Sequence, residues 1–224
     1  METPPDQDSL AAALARHSLA VDQDQLDRLD AYCRALWDWN TRINLTRHTD
    51  YEKFVTRDVV DCAHLEQLLE SGDRVLDLGS GGGVPGAVLA VLRPDLEVTL
   101  SESVAKKAKA LTQIVATAGV AATVRHARAE TLLAERDFDV VVVRAVAPLT
   151  KLLTWLAPHW DAFQRLLVFK GPSWIAERHD AREQGLLRTL ELRKAAAYPL
   201  PGTESESVIL SVTARASEAR KHHR

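Results

Sequence analysis

At 224 residues the chain is long enough for one sizeable core with an appendage, and short for two independent domains. Hydrophobic residues make up 46% and charged residues 26%, which excludes extensive disorder; a formal net charge of -3 excludes a global attraction to polyanions, leaving nucleic-acid binding to a local basic patch. Cys33 and Cys62 form neither a CxxC pair nor a dense pattern, which argues against a disulfide framework or a zinc site.

The start of the chain (Thr3, Pro4, Pro5, Asp6) is acidic where a secretory signal is basic and then apolar, and no apolar run approaches membrane-spanning length. A cytoplasmic protein without membrane attachment is the expectation. Residues 1–70 read as a helical extension. Leu26, Leu29, Cys33 and Leu36 recur at helical spacing, and a second periodic run passes through Phe54, Cys62, Leu65 and Leu69. A polar connector, residues 41–50, separates them. From Arg74 the pattern changes to short apolar runs alternating with helical stretches: 75–78, 98–100, 122–124, 140–143 and 166–169 as strands. Residues 84–92, 104–118 and 149–160 read as the helices between, with another after Ile175. Such alternation predicts an α/β fold with a mostly parallel, doubly wound sheet over residues 71–214. Residues 192–198 and 207–213, separated by Pro199, Pro201 and Gly202, predict a closing antiparallel hairpin, and 215–224 a frayed basic tail.

The segment Val75-Leu76-Asp77-Leu78-Gly79-Ser80-Gly81-Gly82-Gly83-Val84-Pro85-Gly86 carries the most chemistry. A buried strand enters a turn with four glycines in five positions, and Pro85 stands where a helix begins. Glycines leave no Cβ in the way of a ligand at the carboxyl end of a parallel sheet. Gly81, Gly83 and Gly86 satisfy GxGxxG, the pattern that seats a dinucleotide pyrophosphate on a helix amino terminus. Asp77, two residues before Gly79, would repel that phosphate but attract the cationic ammonium and sulfonium of S-adenosylmethionine. Glu102, ending the second strand, can hold ribose hydroxyls of either ligand. The order acid, glycine turn, acid favours the sulfonium cofactor, with an NAD-dependent oxidoreductase as the residual reading.

Asp-Leu-Gly-Ser-Gly-Gly-Gly-Val-Pro-Gly resembles the cofactor loop of the glucose-inhibited division protein B family, also called RsmG, which methylates guanine N7 in small-subunit ribosomal RNA. Further strings fall in that family's order: Asn44-Leu45-Thr46, Glu102-Ser103 before Lys106-Lys107, Arg128-Ala129-Glu130, Arg144-Ala145 and Lys170-Gly171. Together they span residues 44–171. Where the family usually has Arg-His after the Asn-Leu-Thr turn, this chain has Arg57-Asp58, so no role for that histidine carries over. The resemblance implies a Rossmann-like seven-stranded methyltransferase fold. It implies cofactor contacts at Gly79 and Val84 in the loop, to which the chemistry of the turn adds Gly81 and Asp77. It also implies contacts at Ala129 and Glu130 near the adenine, at Glu102 on the ribose, and at Arg144 beside the reactive end.

Arg144 follows an apolar strand, so its side chain is expected at the ligand-binding edge of the sheet, positioning substrate or cofactor through anionic groups rather than acting as acid or base. A plain salt bridge is the competing reading for Arg144, and a solvated helix cap for Glu130. Arg57, Lys106, Lys107 and Lys170 are candidate phosphate contacts, although each singly also fits a solvated surface charge. Trp37 and Trp39 fit core packing better than base stacking. The expected activity is methyl transfer to guanine N7 of 16S ribosomal RNA, free or in a ribosomal particle, without a metal. A methyltransferase for another RNA or a small molecule, or a noncatalytic cofactor- or RNA-binding module, is the alternative.

Overall fold

Residues 9–215 are described in the computed structural model. Seven strands make one sheet: β1 (Arg74–Leu78), β2 (Glu97–Glu102), β3 (Ala122–His126), β4 (Phe138–Arg144), β5 (Phe163–Lys170), β6 (Leu190–Pro199) and β7 (Glu206–Ala214). Their order is β3-β2-β1-β4-β5-β7-β6. The first five pair in parallel and β7 pairs antiparallel with both β5 and β6. Val140, Val141, Val142 and Val143 are all buried, as expected of a central parallel strand covered on both faces. The chain winds outward from β1 to β3 and then returns to β4 on the other side of β1. The strand order therefore reverses between β1 and β4, the place where doubly wound sheets open a crevice at their carboxyl ends.

Helices α1 (Leu10–Arg16), α2 (Gln23–Asn40), α4 (Val60–Glu66), α5 (Gly86–Leu92) and α6 (Ala105–Thr117) pack into one core cluster with Val75, Val98, Leu100, Val140 and Val142. On the opposite face α7 (Ala129–Glu135), α8 (Leu149–Leu156) and α9 (Trp174–Glu183) cover Leu76, Val141, Val143 and Leu166. The amino-terminal helices thus share one continuous core with the sheet. α2 starts in a capping box: Asp22 Oδ1 accepts the Gln25 amide at 2.8 Å, while Gln25 Oε1 accepts the Asp22 amide at 3.0 Å.

The differences from the sequence expectation are local. α5 begins at Gly86 rather than residue 84, because the Gly86 amide is captured by Asp77 Oδ2 at 3.1 Å and the chain turns there. The stretch 149–160 leaves α geometry at Leu156, where Pro158, lacking an amide proton, admits only a 3₁₀ turn to His159. The second periodic run is interrupted: α3 (Tyr51–Phe54) passes through a π-helical turn, Val55–Val59, into α4. α7 lies outside the helices expected, and α1 falls within the expected helical extension, ahead of its two periodic runs. Arg215, expected to fray, is held, its amide donating to the Thr189 carbonyl at 2.9 Å and its Nε to that of Leu190 at 3.0 Å; the rest of the tail lies outside the described residues.

Candidate active site

The glycine turn leaves β1 and crosses the reversal point of the sheet. Gly79 has φ +73°, and a Cβ there would lie 2.8 Å from Val146 Cγ2, so both the backbone and the close approach require glycine. Gly81, at φ +56°, meets nothing nearer than the Gly79 carbonyl oxygen at 3.9 Å, which leaves its outer face open. Three groups hold the turn from behind. Tyr32, fully buried on α2, donates its hydroxyl to the Gly82 carbonyl at 2.7 Å. Ser80 donates its amide to the Ser101 carbonyl at 2.9 Å. Glu102 accepts the Gly81 amide on Oε2 at 3.1 Å and the Val104 amide on Oε1 at 2.7 Å. Each carboxylate oxygen has a second lone-pair site, so Glu102 retains acceptor capacity toward the cleft it borders.

Two clefts open at this edge. The smaller, about 330 Å³, is lined by Gly79, Gly81, Val84, Glu102 and Lys107, and by Leu36, Leu45 and Thr46 of the amino-terminal region. Asn40 shapes that region by accepting the Leu45 and Thr46 amides on Oδ1 at 2.8 and 3.0 Å. The larger, about 430 Å³, is bounded by Arg57, Asp61, Phe169, Lys170 and Leu200. Arg144, Ala145 and Val146 border both. Ala145 occupies the left-handed region at φ +55°, a conformation unfavourable for alanine that lets the segment turn sharply out of β4.

Arg144 does reach the ligand-binding edge, but its anionic partners are the protein's own. Its Nη2 lies 2.6 Å from Asp58 Oδ1, its Nη1 is 2.9 Å from Asp61 Oδ2, and Nη1 also donates to the Arg57 carbonyl at 2.9 Å. The expectation of a guanidinium aimed at substrate phosphate or cofactor carboxylate is corrected: the salt-bridge reading describes this geometry, and burial demands it, since the side chain is only 18% exposed. Asp58, in the position where the resemblance expects histidine, also has His48 Nδ1 2.9 Å from both its oxygens. Burial raises the Asp61 pKa against the pull of Arg144, and Tyr198 donates its hydroxyl to Asp61 Oδ1 at 2.6 Å.

The remaining residues divide clearly. Gly79, Gly81, Val84 and Glu102 come together in the smaller cleft, and Lys107 joins them there rather than on a free surface. Asp77 does not border either cleft; at 1% exposure it sits behind the turn, where burial pushes its carboxyl up to about 6. Ala129 and Glu130 stand in the first turn of α7, past the end of β3, and border neither cleft. Lys170 borders the larger cleft, but its ammonium donates to the Ala147 carbonyl at 2.9 Å and to Glu177 Oε2 at 2.7 Å, and its side chain is 9% exposed. That pairing corrects its reading as a phosphate contact. Lys106 is exposed, and Arg57 is half-buried along the larger cleft. Trp37 packs against Tyr51 and donates Nε1 to the His48 carbonyl, as core packing requires. Sequence reasoning passed over Tyr32, Asp61 and Val146 and gave Asp58 no role beyond its departure from the family pattern; of the three passed over only Asp61 carried a signal, an acid one helical turn after Arg57. Among the described residues no group of His, Cys, Asp and Glu is arranged to hold a metal.

Comparison with known proteins gives the lineage of this chain. The profile of the family described as GidB, rRNA small subunit methyltransferase G, matches residues 25–198. The ribosomal RNA small subunit methyltransferase G of Rhodopirellula baltica is 48% identical over 194 residues, covering 87% of this chain and 84% of that protein. Among solved structures, a mutant of MtNAS in complex with S-adenosylmethionine superposes with a TM-score of 0.52 at 16% identity, over 92% of this chain and 84% of that one. A precorrin-6y C5,15-methyltransferase from Geobacter metallireducens does so with 0.51 at 14% identity, over 76% of this chain and 91% of that one. The two structures share the sheet architecture, and the sequence matches give the lineage: this chain belongs to the rRNA small subunit methyltransferase G family.

Proposed function

We propose that this protein transfers a methyl group from S-adenosylmethionine to guanine N7 of 16S ribosomal RNA, in the cytoplasm, on the RNA alone or within a small-subunit particle. The observation that carries the reading is the pair of clefts meeting at Arg144–Val146 on the carboxyl edge of the sheet, one built around the glycine turn and one facing solvent beyond it. The smaller cleft suits the cofactor. Gly81 leaves an open backbone face, Glu102 retains lone pairs for ribose hydroxyls, and the buried Asp77 behind the turn disfavours a phosphate and suits a cation. When bound, S-adenosylmethionine supplies an electrophilic methyl group carried on a sulfonium.

The chain's own contribution is placement. Guanine N7 has a free lone pair at neutral pH, so no general base is required. Holding a base in the larger cleft with N7 about 3 to 3.5 Å from the methyl carbon provides much of the acceleration. Val146, 37% exposed, forms the apolar partition between the clefts, and Arg57 with Lys106 supplies cationic surface for RNA phosphates. Arg144 holds the partition by tying β4 to the helical region at Asp58 and Asp61, and no step asks it to exchange a proton.

Labelled methyl incorporation into ribosomal RNA from cells lacking this protein, mapped after the protein is added back, tests the assignment. A single guanine modified at N7 is expected; no transfer to any ribosomal substrate would leave a noncatalytic module. Single-turnover methylation with both ligands saturating is expected to be nearly flat between about pH 6.5 and 8.5. A steep rise with pH would mean an amine or hydroxyl target instead.

A further inference from the structure

Adenine and guanine both offer N7 on the same edge, so nucleophilicity at N7 alone does not select guanine. Selection needs groups that read the opposite, Watson–Crick edge, where guanine presents two donors, N1–H and the N2 amino group, and adenine presents an acceptor beside its amino group. The larger cleft contains one carboxylate placed for this. Asp58 is 1% exposed, borders neither cleft, and spends its oxygens on Arg144 and His48. Asp61 borders the larger cleft, and each of its oxygens has a single partner: Tyr198 on Oδ1 and Arg144 on Oδ2. One lone-pair site on each oxygen remains.

Burial makes this acid costly. Arg144 is shared by two carboxylates: Asp58, which His48 also pairs, and Asp61, whose other oxygen has the Tyr198 phenol. Burying a carboxylate costs stability, which donors from a ligand offset. Its position also fits. Tyr198 is on β6, facing Ser207 of β7, whereas the partition shared with the cofactor cleft leaves β4 at Arg144–Val146. Asp61 is held on one oxygen by Tyr198 of β6 and on the other by the Arg144 guanidinium, so a purine seated in the cleft with N7 toward Val146 can present its Watson–Crick edge to it.

We propose that Asp61 selects guanine: its carboxylate accepts hydrogen bonds from N1–H and the N2 amino group of the acceptor base in the larger cleft. The inference rests on the guanine-N7 reading above. Adenine, presenting its unprotonated N1 to the carboxylate, is rejected by lone-pair repulsion as well as by the missing donor.

The test uses the full-length protein and small-subunit particles reconstituted with the mapped target guanine left intact, replaced by inosine, which lacks the N2 amino group, or replaced by adenine. Wild-type protein is expected to lose about 10- to 100-fold in single-turnover rate on inosine and to methylate adenine undetectably. Asp61→Asn is expected to lose a similar factor on guanine, to treat guanine and inosine nearly alike, and to bind S-adenosylmethionine within about twofold of wild type. A variant that still prefers guanine over inosine as wild type does would overturn the proposal. Should the variant fail to fold, wild-type protein that methylates inosine as fast as guanine would overturn it unaided. Wild-type protein inert on both the intact particle and free 16S ribosomal RNA would instead remove the guanine assignment, and this inference with it.

Discussion

Asp77 carries both a stability effect and a binding effect that can be separated. Burial raises its carboxyl from 3.8 to about 6, against the opposing hydrogen bonds from Gly86 and Ser80. A carboxyl raised on folding contributes stability that is full below pH 3.8 and lost as pH rises through 6, a swing of roughly 3 kcal/mol. Asp77→Asn keeps an oxygen for the Gly86 amide and removes the ionisation. The variant is expected to be about 1–3 kcal/mol more stable than wild type at pH 8, with the gap closing below pH 4 in thermal melts. Its S-adenosylmethionine affinity is expected to fall several-fold in calorimetry, because the negative charge behind the turn is gone; unchanged affinity would confine Asp77 to fastening the turn. Glu102→Ala is expected to weaken the same affinity by about 1–3 kcal/mol through loss of charge-assisted hydrogen bonds, and an unaltered dissociation constant would remove Glu102 from the site. Arg144→Ala, by contrast, strands Asp58 and Asp61 without their cation, at a cost of about 3–5 kcal/mol, so it reports on folding before it reports on chemistry.

At the scale of elements, the glycine turn depends on a helix more than forty residues upstream. Tyr32 of α2 donates to the Gly82 carbonyl, and Leu36 on the same helix lines the cofactor cleft. Tyr32→Phe is expected to cost about 1 kcal/mol of stability, from a buried carbonyl left unpaired, and to weaken S-adenosylmethionine binding as the turn loosens. A Kd equal to wild type would show that the turn is held without α2. The strands and the larger sheet-covering helices were legible because their apolar runs are long or their periodicity is clear, as in Val140–Val143 and the Ala108, Leu111, Val115 face of α6. α7 escaped because seven residues give too little periodicity to separate a helix from a loop. The π turn at Val55–Val59 escaped for a different reason. The Arg57 carbonyl in it accepts from the Arg144 guanidinium, a partner 87 residues away that no local window contains.

For the whole molecule the question is where charge remains available to a polyanion when the chain is net acidic. Lys106 is exposed and Arg57 faces the larger cleft, whereas Lys170 is bound between the Ala147 carbonyl and Glu177, which also accepts the amide of Leu149. Replacing Lys106 or Arg57 by alanine is expected to lower the salt slope of RNA binding by about one unit each. Lys170→Ala is expected to leave the slope at its wild-type value and to lower the melting temperature, since Glu177 loses its cation. A slope reduced by Lys170→Ala would return that lysine to the RNA face. The sheet, its winding, the glycine turn and the acid ending β2 are each written in contiguous residues whose spacing and side-chain chemistry act locally, and so could be read from the chain alone. Which charges are free is a property of the folded molecule. Arg144, Lys170 and Asp77 read alike as charged residues at the ends of strands, yet folding brings Asp58 and Asp61 to the first, Glu177 to the second and a dry turn around the third. A charge's role is set by its partners and its burial, and both come from chain segments far apart in sequence.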